Sequence, residues 1–179
     1  KAGVPDEHIA AFAAQMRHIQ EGLLKTLASL RTTLSMHTIA LIRQLALSLG
    51  AHLEHSIMDA WFTALLRMAG ITKKLVASAS QVAVDTILAC FPVRHMHWQS
   101  LYAGLQDKSV ATRVYMCKHV HLVLQVHGHK RTEMEAHHGL DMTRQCLERA
   151  LSDPSAEVRM AAREVFGTLY RLHRAAAES

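Results

Sequence analysis

Aromatic side chains make up only 5% of this 179-residue chain. A core built on stacked rings is therefore excluded, and Leu, Ala, Val, Ile and Met must fill the interior. Turn formers are also scarce. Eight glycines and three prolines are too few for many short strands joined by tight turns, and they favour long helices. Cys90, Cys117 and Cys146 are odd in number and form no close-spaced motif. A disulfide scaffold is not expected, and a reduced, intracellular compartment is. Long apolar runs are missing too: the stretch from Thr38 to Leu49 is interrupted by Arg43 and Gln44, so no membrane span and no membrane partner are expected. No signal peptide is visible. The first residue is Lys1 rather than methionine, so the sequence reads as a piece of a longer protein. No nucleophile elbow, phosphate loop or metalloprotease helix appears, and neither an enzyme nor a cofactor is expected.

What remains is half hydrophobic, with a net charge of +5 and a pI near 9.4. The length suffices for one domain with a real core. The positive balance suits an acidic partner, whether protein, nucleic acid or anionic membrane, without choosing among them.

Helical spacing runs through the chain. The first helix is predicted from about Asp6 to Arg31, opened by Pro5 and striped by Ile9, Phe12, Met16, Ile19, Leu23, Leu27 and Leu30. Thr32 to His37 loosens the pattern, and a second helix follows over about 38–49, with Gly50 suited to its C-terminal cap. Helices are predicted over about 53–68 and 75–90, the latter rich in alanine and ended by Phe91-Pro92. Two more cover about 95–105 and 110–126. A polar stretch, His129 to Glu135, leads to a helix over about 136–151. The last helix begins after the turn Ser152-Asp153-Pro154-Ser155, with Val158, Ala161, Ala162, Val165, Phe166, Leu169 and Leu172 on its apolar face. Arg159 and Arg163 lie near its start, where the helix dipole disfavours cations. Helix stability alone does not select that placement. An acidic partner is one reading of it, and ordinary solvated arginines or a ladder to a neighbouring repeat are the other.

Turns inside successive helix pairs centre near residues 35, 72, 108 and 154, about 37, 36 and 46 residues apart, the period of helical-hairpin repeats. Asp107 to Arg113 and Asp153 to Arg159 match in letters, each placing arginine six residues after aspartate. In such repeats the aspartate caps the second helix and the arginine reaches a neighbouring repeat's aspartate. The predicted fold is all-α: a right-handed α-solenoid of four HEAT-like hairpins at about 6–50, 52–91, 94–128 and 136–174. They form a single domain over 1–179 that lacks an N-terminal repeat. Hairpins of this kind need stacked neighbours for stability.

Four stretches in this order resemble the TOG domains of the CLASP family of microtubule regulators, most closely the family's second TOG domain. They are Leu41-Ile42-Arg43-Gln44 through Leu49-Gly50; Lys74-Leu75-Val76-Ala77 with Val82-Ala83-Val84; Lys108 to Arg113; and Asp153 with Glu157, Arg159, Ala162 and Arg163. The resemblance covers about Asp6 to His173. It implies a HEAT-repeat paddle whose intra-hairpin turns grip tubulin along one edge. Carried over by position, it points to Lys74, Lys108, Arg113, Arg159 and Arg163, with Lys73 adjacent. It also implies binding to tubulin and microtubules, stabilisation or rescue of microtubules, a monomeric fragment, and a place on the cytoskeleton and spindle in the cytoplasm. Two departures stand out. The edge tryptophan of the family's first repeat has no counterpart, since Trp61 and Trp98 lie inside helices. The first turn, read as Leu34-Ser35-Met36-His37, lacks the family's basic residue.

Fourteen histidines invite a metal reading. His95-His97, His119-His121 and His127-His129 are spaced by two, which points helical side chains apart. His52 with His55, and Cys117 with His121, have usable spacings but no second pair to complete a site. Cys117 near His119 or His121 is a weak thiol–imidazole pair, better read as core. A basic solenoid can also track phosphates, but the turns carry no aromatic platform for stacking bases, so nucleic acid is not expected. The remaining alternative is a scaffold that holds another protein away from the turns, with an exposed apolar patch there as its mark.

Overall fold

In the computed structural model, residues 6–174 are described, and they contain helices and no strand. Pro5 lies outside that range. The chain divides into two compact units that meet between Phe91 and Pro92.

The first unit holds four helices: α1 (Asp6–Leu27), α2 (Thr32–Leu49), α3 (His55–Ala69) and α4 (Lys74–Cys90), with a short 3₁₀ turn at Gly50–His52 after α2. α2 packs against α1 and α4, and α3 packs against α4. Ile42, Ala46, Trp61, Phe62, Leu65, Ala83 and Val84 are fully buried between them. Each large side chain so removed from water contributes roughly 1.5–3 kcal/mol. The alanines of α4 let the helices approach closely. Gly50 ends α2 as expected: its φ of 47° is a left-handed conformation, and its N–H donates to the Ala46 carbonyl.

The first hairpin differs from expectation. α1 stops at Leu27 and α2 starts at Thr32, so the turn is Ala28 to Arg31 and Leu34 to His37 are helical. The cause is Ser29. Its hydroxyl accepts from the Arg31 N–H at 3.2 Å, and its carbonyl accepts from the Ser35 hydroxyl at 3.0 Å. A serine closes the turn, so no glycine or proline marks it. The apolar stripe of α1 is also rotated. Ala13, Met16 and Leu27 are buried, whereas Phe12 is 53% and Ile19 46% exposed.

The second unit holds α5 (His95–Gly104), α6 (Val110–His127), α7 (Arg131–Ala136), α8 (Gly139–Leu151) and α9 (Ala156–Leu172). α6 packs on α9, α8 on α9, and α5 on both α6 and α8. Trp98, Leu101, Val123, Leu124, Val158 and Leu169 are fully buried. α7 falls in the stretch expected to be a polar linker. Its single anchor is Met134, which lies buried against Gly139. A Cβ at Gly139 would sit 3.0 Å from the Met134 methyl carbon, so the small residue admits the short helix. Phe166 and Leu172, expected on the inner face of α9, are 40% and 42% exposed.

The cysteines divide by environment. Cys90 is exposed, and Cys117 and Cys146 are buried. Burial pushes the Cys117 thiol up to about 11 and the Cys146 thiol up to about 12, so neither supplies thiolate at neutral pH. Ellman's reagent is therefore expected to titrate Cys90 alone in the native chain and all of Cys90, Cys117 and Cys146 in denaturant. Rapid native reaction of Cys117 or Cys146 would contradict the packing.

Candidate functional site

The turns inside the hairpins present the basic side chains singled out by sequence. In the first unit, α2 and α4 both begin on a cation. Arg31 is the N-cap of α2 and Lys73 the N-cap of α4, each with extended backbone and neither with a side-chain capping bond. The leading N–H groups of a helix carry partial positive charge. Arg31, Lys73 and Lys74, all exposed, add full charges beside them. Lys73 Nζ donates to the Leu30 carbonyl at 2.7 Å and so ties the two turns together. From 28 to 37 and from 70 to 78 the sequence has no acidic residue.

In the second unit the two matched stretches have one shared geometry. Asp107 accepts from the Ser109 N–H at 2.7 Å, and Asp153 accepts from the Ser155 N–H at 2.8 Å. Arg113 donates to the Asp107 and Lys108 carbonyls at 2.8 and 3.2 Å. Arg159 donates to the Asp153 and Pro154 carbonyls at 2.7 and 2.8 Å. Each arginine thus folds back to clasp its own turn. Ser109 completes the first of these turns by capping α6, its hydroxyl accepting from the Thr112 N–H.

Arg113 also spans to the next hairpin. Its Nε and one terminal nitrogen grip the Asp153 carboxylate at 2.7 and 3.0 Å. The side chains are 9% and 1% exposed. The hydrogen bond from Arg113 holds the Asp153 carboxyl below the usual carboxylate range, against the opposing effect of burial. The same bond raises the guanidinium. A fork-shaped pair of this kind is strong and directional. It is the ladder that the letter match suggested.

The named residues therefore separate. Lys74, Lys108 and Arg163 are exposed, and among the described residues their side chains hold no hydrogen bond or ion pair. Lys73 is exposed and bound to Leu30. Arg159 is half-buried in its clasp. Arg113 was placed on the gripping edge by the resemblance, but its guanidinium is buried in the fold and cannot meet a partner directly. Arg31 went unnoticed because the first turn was read too far along the chain. The turn that forms carries one basic residue, Arg31.

Elsewhere, an open cavity of about 400 Å³ lies between α1 and α3, walled by Leu24, Leu27, Ala28, Ala60, Ala64 and Met68, with Asp59, Thr63 and Arg67 along one side. Among the described residues no group of three His, Cys, Asp or Glu could hold a metal ion. No described helix is long and apolar enough to cross a membrane.

Paired helices joined by short turns, with the arginine–aspartate ladder of the second unit, define a helical-hairpin repeat protein. The family model described as CLASP N terminal matches residues 1–179, and the chain belongs to that family. It is 39% identical over 161 residues to Protein STU1 of Mycosarcoma maydis, covering 89% of this chain and 12% of that protein. It is 34% identical over 173 residues to Protein STU1 of Cryptococcus neoformans var. neoformans serotype D, covering 94% and 14%. Against Protein STU1 of Gibberella zeae it is 27% identical over 178 residues, covering 99% and 16%. The chain thus spans between 12% and 16% of the length of these relatives.

Proposed function

We propose that this chain is a non-enzymatic, TOG-like tubulin-binding paddle of a microtubule-associated regulator, acting on microtubules in the cytoplasm and spindle and favouring their stabilisation or rescue. The observation that carries the reading is the set of exposed cations at the intra-hairpin turns. Arg31, Lys73 and Lys74 come from the first unit and Lys108 from the second, where Arg163 adds a further exposed cation inside α9. Tubulin is acidic. Cationic turns on each unit speed encounter with such a surface and orient it. Each exposed pair is worth only about 0.2–1 kcal/mol, so several must act together, and tethered arrays raise the effective concentration further. In this reading Arg113 and Arg159 are positioning residues that shape the turns from within. The test is co-sedimentation with taxane-stabilised microtubules beside gel filtration with free tubulin. Binding in either, weakened by salt, is the expected result. A folded chain that binds neither form overturns the reading.

One observation favours a second reading, a scaffold that holds another protein without touching tubulin. Phe12 and Ile19 lie seven residues apart on one exposed face of α1, away from the turns. A chain that fails to bind tubulin but loses a protein partner on Phe12→Ser would support it.

A further inference from the structure

The outward ridge of α9 carries side chains that neither the core nor the turns use. Met160, Arg163, Gly167 and Tyr170 recur at intervals of three or four residues and so share one face of the helix. Val158, Ala162, Val165 and Leu169 are buried on another. Met160 is 56% and Tyr170 39% exposed. The rings of Phe166 and Tyr170 lie side by side, 6.1 Å between centroids, and the Arg174 guanidinium covers the Tyr170 ring at 5.5 Å. This cluster sits at the far end of α9, with Tyr170 roughly 20 Å along the helix from the turn at its start. Gly167 lies in its middle. A Cβ there would meet nothing within 4 Å, and the residue has no positive φ. A glycine inside a helix is destabilising relative to alanine, so no packing among the described residues explains this one. What a bare Cα offers is close approach of another backbone.

We infer that this ridge is a docking face for an acidic amphipathic helix of a partner protein. The helix crosses at Gly167, lays its apolar stripe on Met160, Phe166 and Tyr170, and turns its carboxylates to Arg163 and Arg174. Charge selects that occupant. The acids of α9 are Glu157 and Glu164, seven residues apart and so on one side, where Glu164 faces His121 of α6 at 4.0 Å. The ridge itself presents arginine alone. Methionine, aromatic residues and arginine are the types enriched where proteins meet, and lysine and the acids are depleted there. A guanidinium stacked on a ring still donates in its own plane, so Arg174 can hold Tyr170 and a carboxylate together. Nucleic acid fits less well. Arg174 occupies one face of Tyr170, and the two rings are inclined by 33°, which makes no parallel platform for stacked bases.

The test is fluorescence anisotropy of the whole chain with three labelled synthetic peptides. The first is an amphipathic helix with leucines at heptad spacing flanked by glutamates. The second carries lysine for each glutamate, and the third is a scramble of the first without an apolar face. The glutamate helix is expected to bind at least about tenfold more tightly than either control. Phe166→Ser with Tyr170→Ser should weaken it at least about tenfold, as loss of two aromatic anchors does. Gly167→Gln separates docking from folding. With open space at its Cβ and a better helix former in place, the variant should melt no lower than the parent, yet lose about tenfold in affinity because the close approach is blocked. Equal binding of the glutamate and lysine peptides, or undiminished binding by a folded Gly167→Gln chain, overturns the inference. So does displacement of the peptide by an oligothymidine, which would give the ridge to nucleic acid. Self-association of the parent that Gly167→Gln abolishes would give it to a second copy and overturns the inference as well.

Discussion

Asp153→Ala is expected to lower the melting temperature of the second unit by about 10 °C, since removing one member of a buried ion pair leaves the other charge buried and uncompensated. The Arg113 guanidinium would lose the carboxylate that it grips through two nitrogens. The Ser155 N–H would lose its acceptor at the same time, opening the turn before α9. Replacing both partners by apolar residues, Arg113→Met with Asp153→Leu, is expected to cost less than the sum of the single changes, because no lone charge remains. Thermal melts of the three variants check this. A single variant that melts within about 2 °C of the parent, the shift expected of a surface substitution, would contradict a structural pair.

The same pair carries a pH dependence with a definite sign. Asp153 has a folded pKa below its ordinary value, set first by the Arg113 hydrogen bond. Its contribution is therefore complete above the unfolded carboxylate range, near about pH 4, and is lost as the pH falls through the depressed folded value. Denaturant midpoints should drop over that acid window in the parent. Asp153→Asn should be less stable at neutral pH and should lose less on acidification. Equal acid sensitivity in the two proteins would place the titrating group elsewhere.

Periodicity made most of the fold legible, and its failures have local causes. Six of the described helices, α3 to α6, α8 and α9, lie close to their predicted bounds, because alternating turns of apolar residues and scarce breakers leave little choice. The first hairpin was misplaced by the convention that threonines and histidines loosen a helix. Thr32 and Thr33 instead occupy the first turn of α2, and Ser29 closes the loop by a side-chain bond to Arg31. α7 was missed because six residues are too short for a period. Its Met134 anchor depends on Gly139, which only coordinates bring into contact. The candidate site was half legible. Aspartate and arginine at matched spacing announced the turns and the ladder. Letters alone could not tell a lysine left in water from an arginine consumed by its own turn. Arg113 is at a matched position and still faces inward, because a guanidinium can satisfy two carbonyls and a carboxylate together.

That distinction decides which charge reversal tests the proposed grip of the cations. Lys74→Glu, Lys108→Glu and Arg163→Glu together are expected to reduce microtubule binding at least about tenfold, and toward undetectable pelleting, since each change removes an attraction and adds a repulsion of similar size. All three positions are exposed, with side chains that hold no hydrogen bond or ion pair among the described residues. The triple variant should therefore keep the parent's melting temperature, so that lost binding reports on the surface alone. Arg159→Glu is a poorer probe. It breaks the clasp on the Asp153 and Pro154 carbonyls, so a binding loss there mixes surface charge with a loosened turn. The comparison separates the two roles. Reversal at Lys74, Lys108 and Arg163 should remove binding without affecting stability, whereas changes at Arg113 or Arg159 should lower stability along with binding. If a well-folded triple variant pellets as the parent does, the cations at the turns are not the grip, and the outward face of α1 with Phe12 and Ile19 becomes the surface to probe.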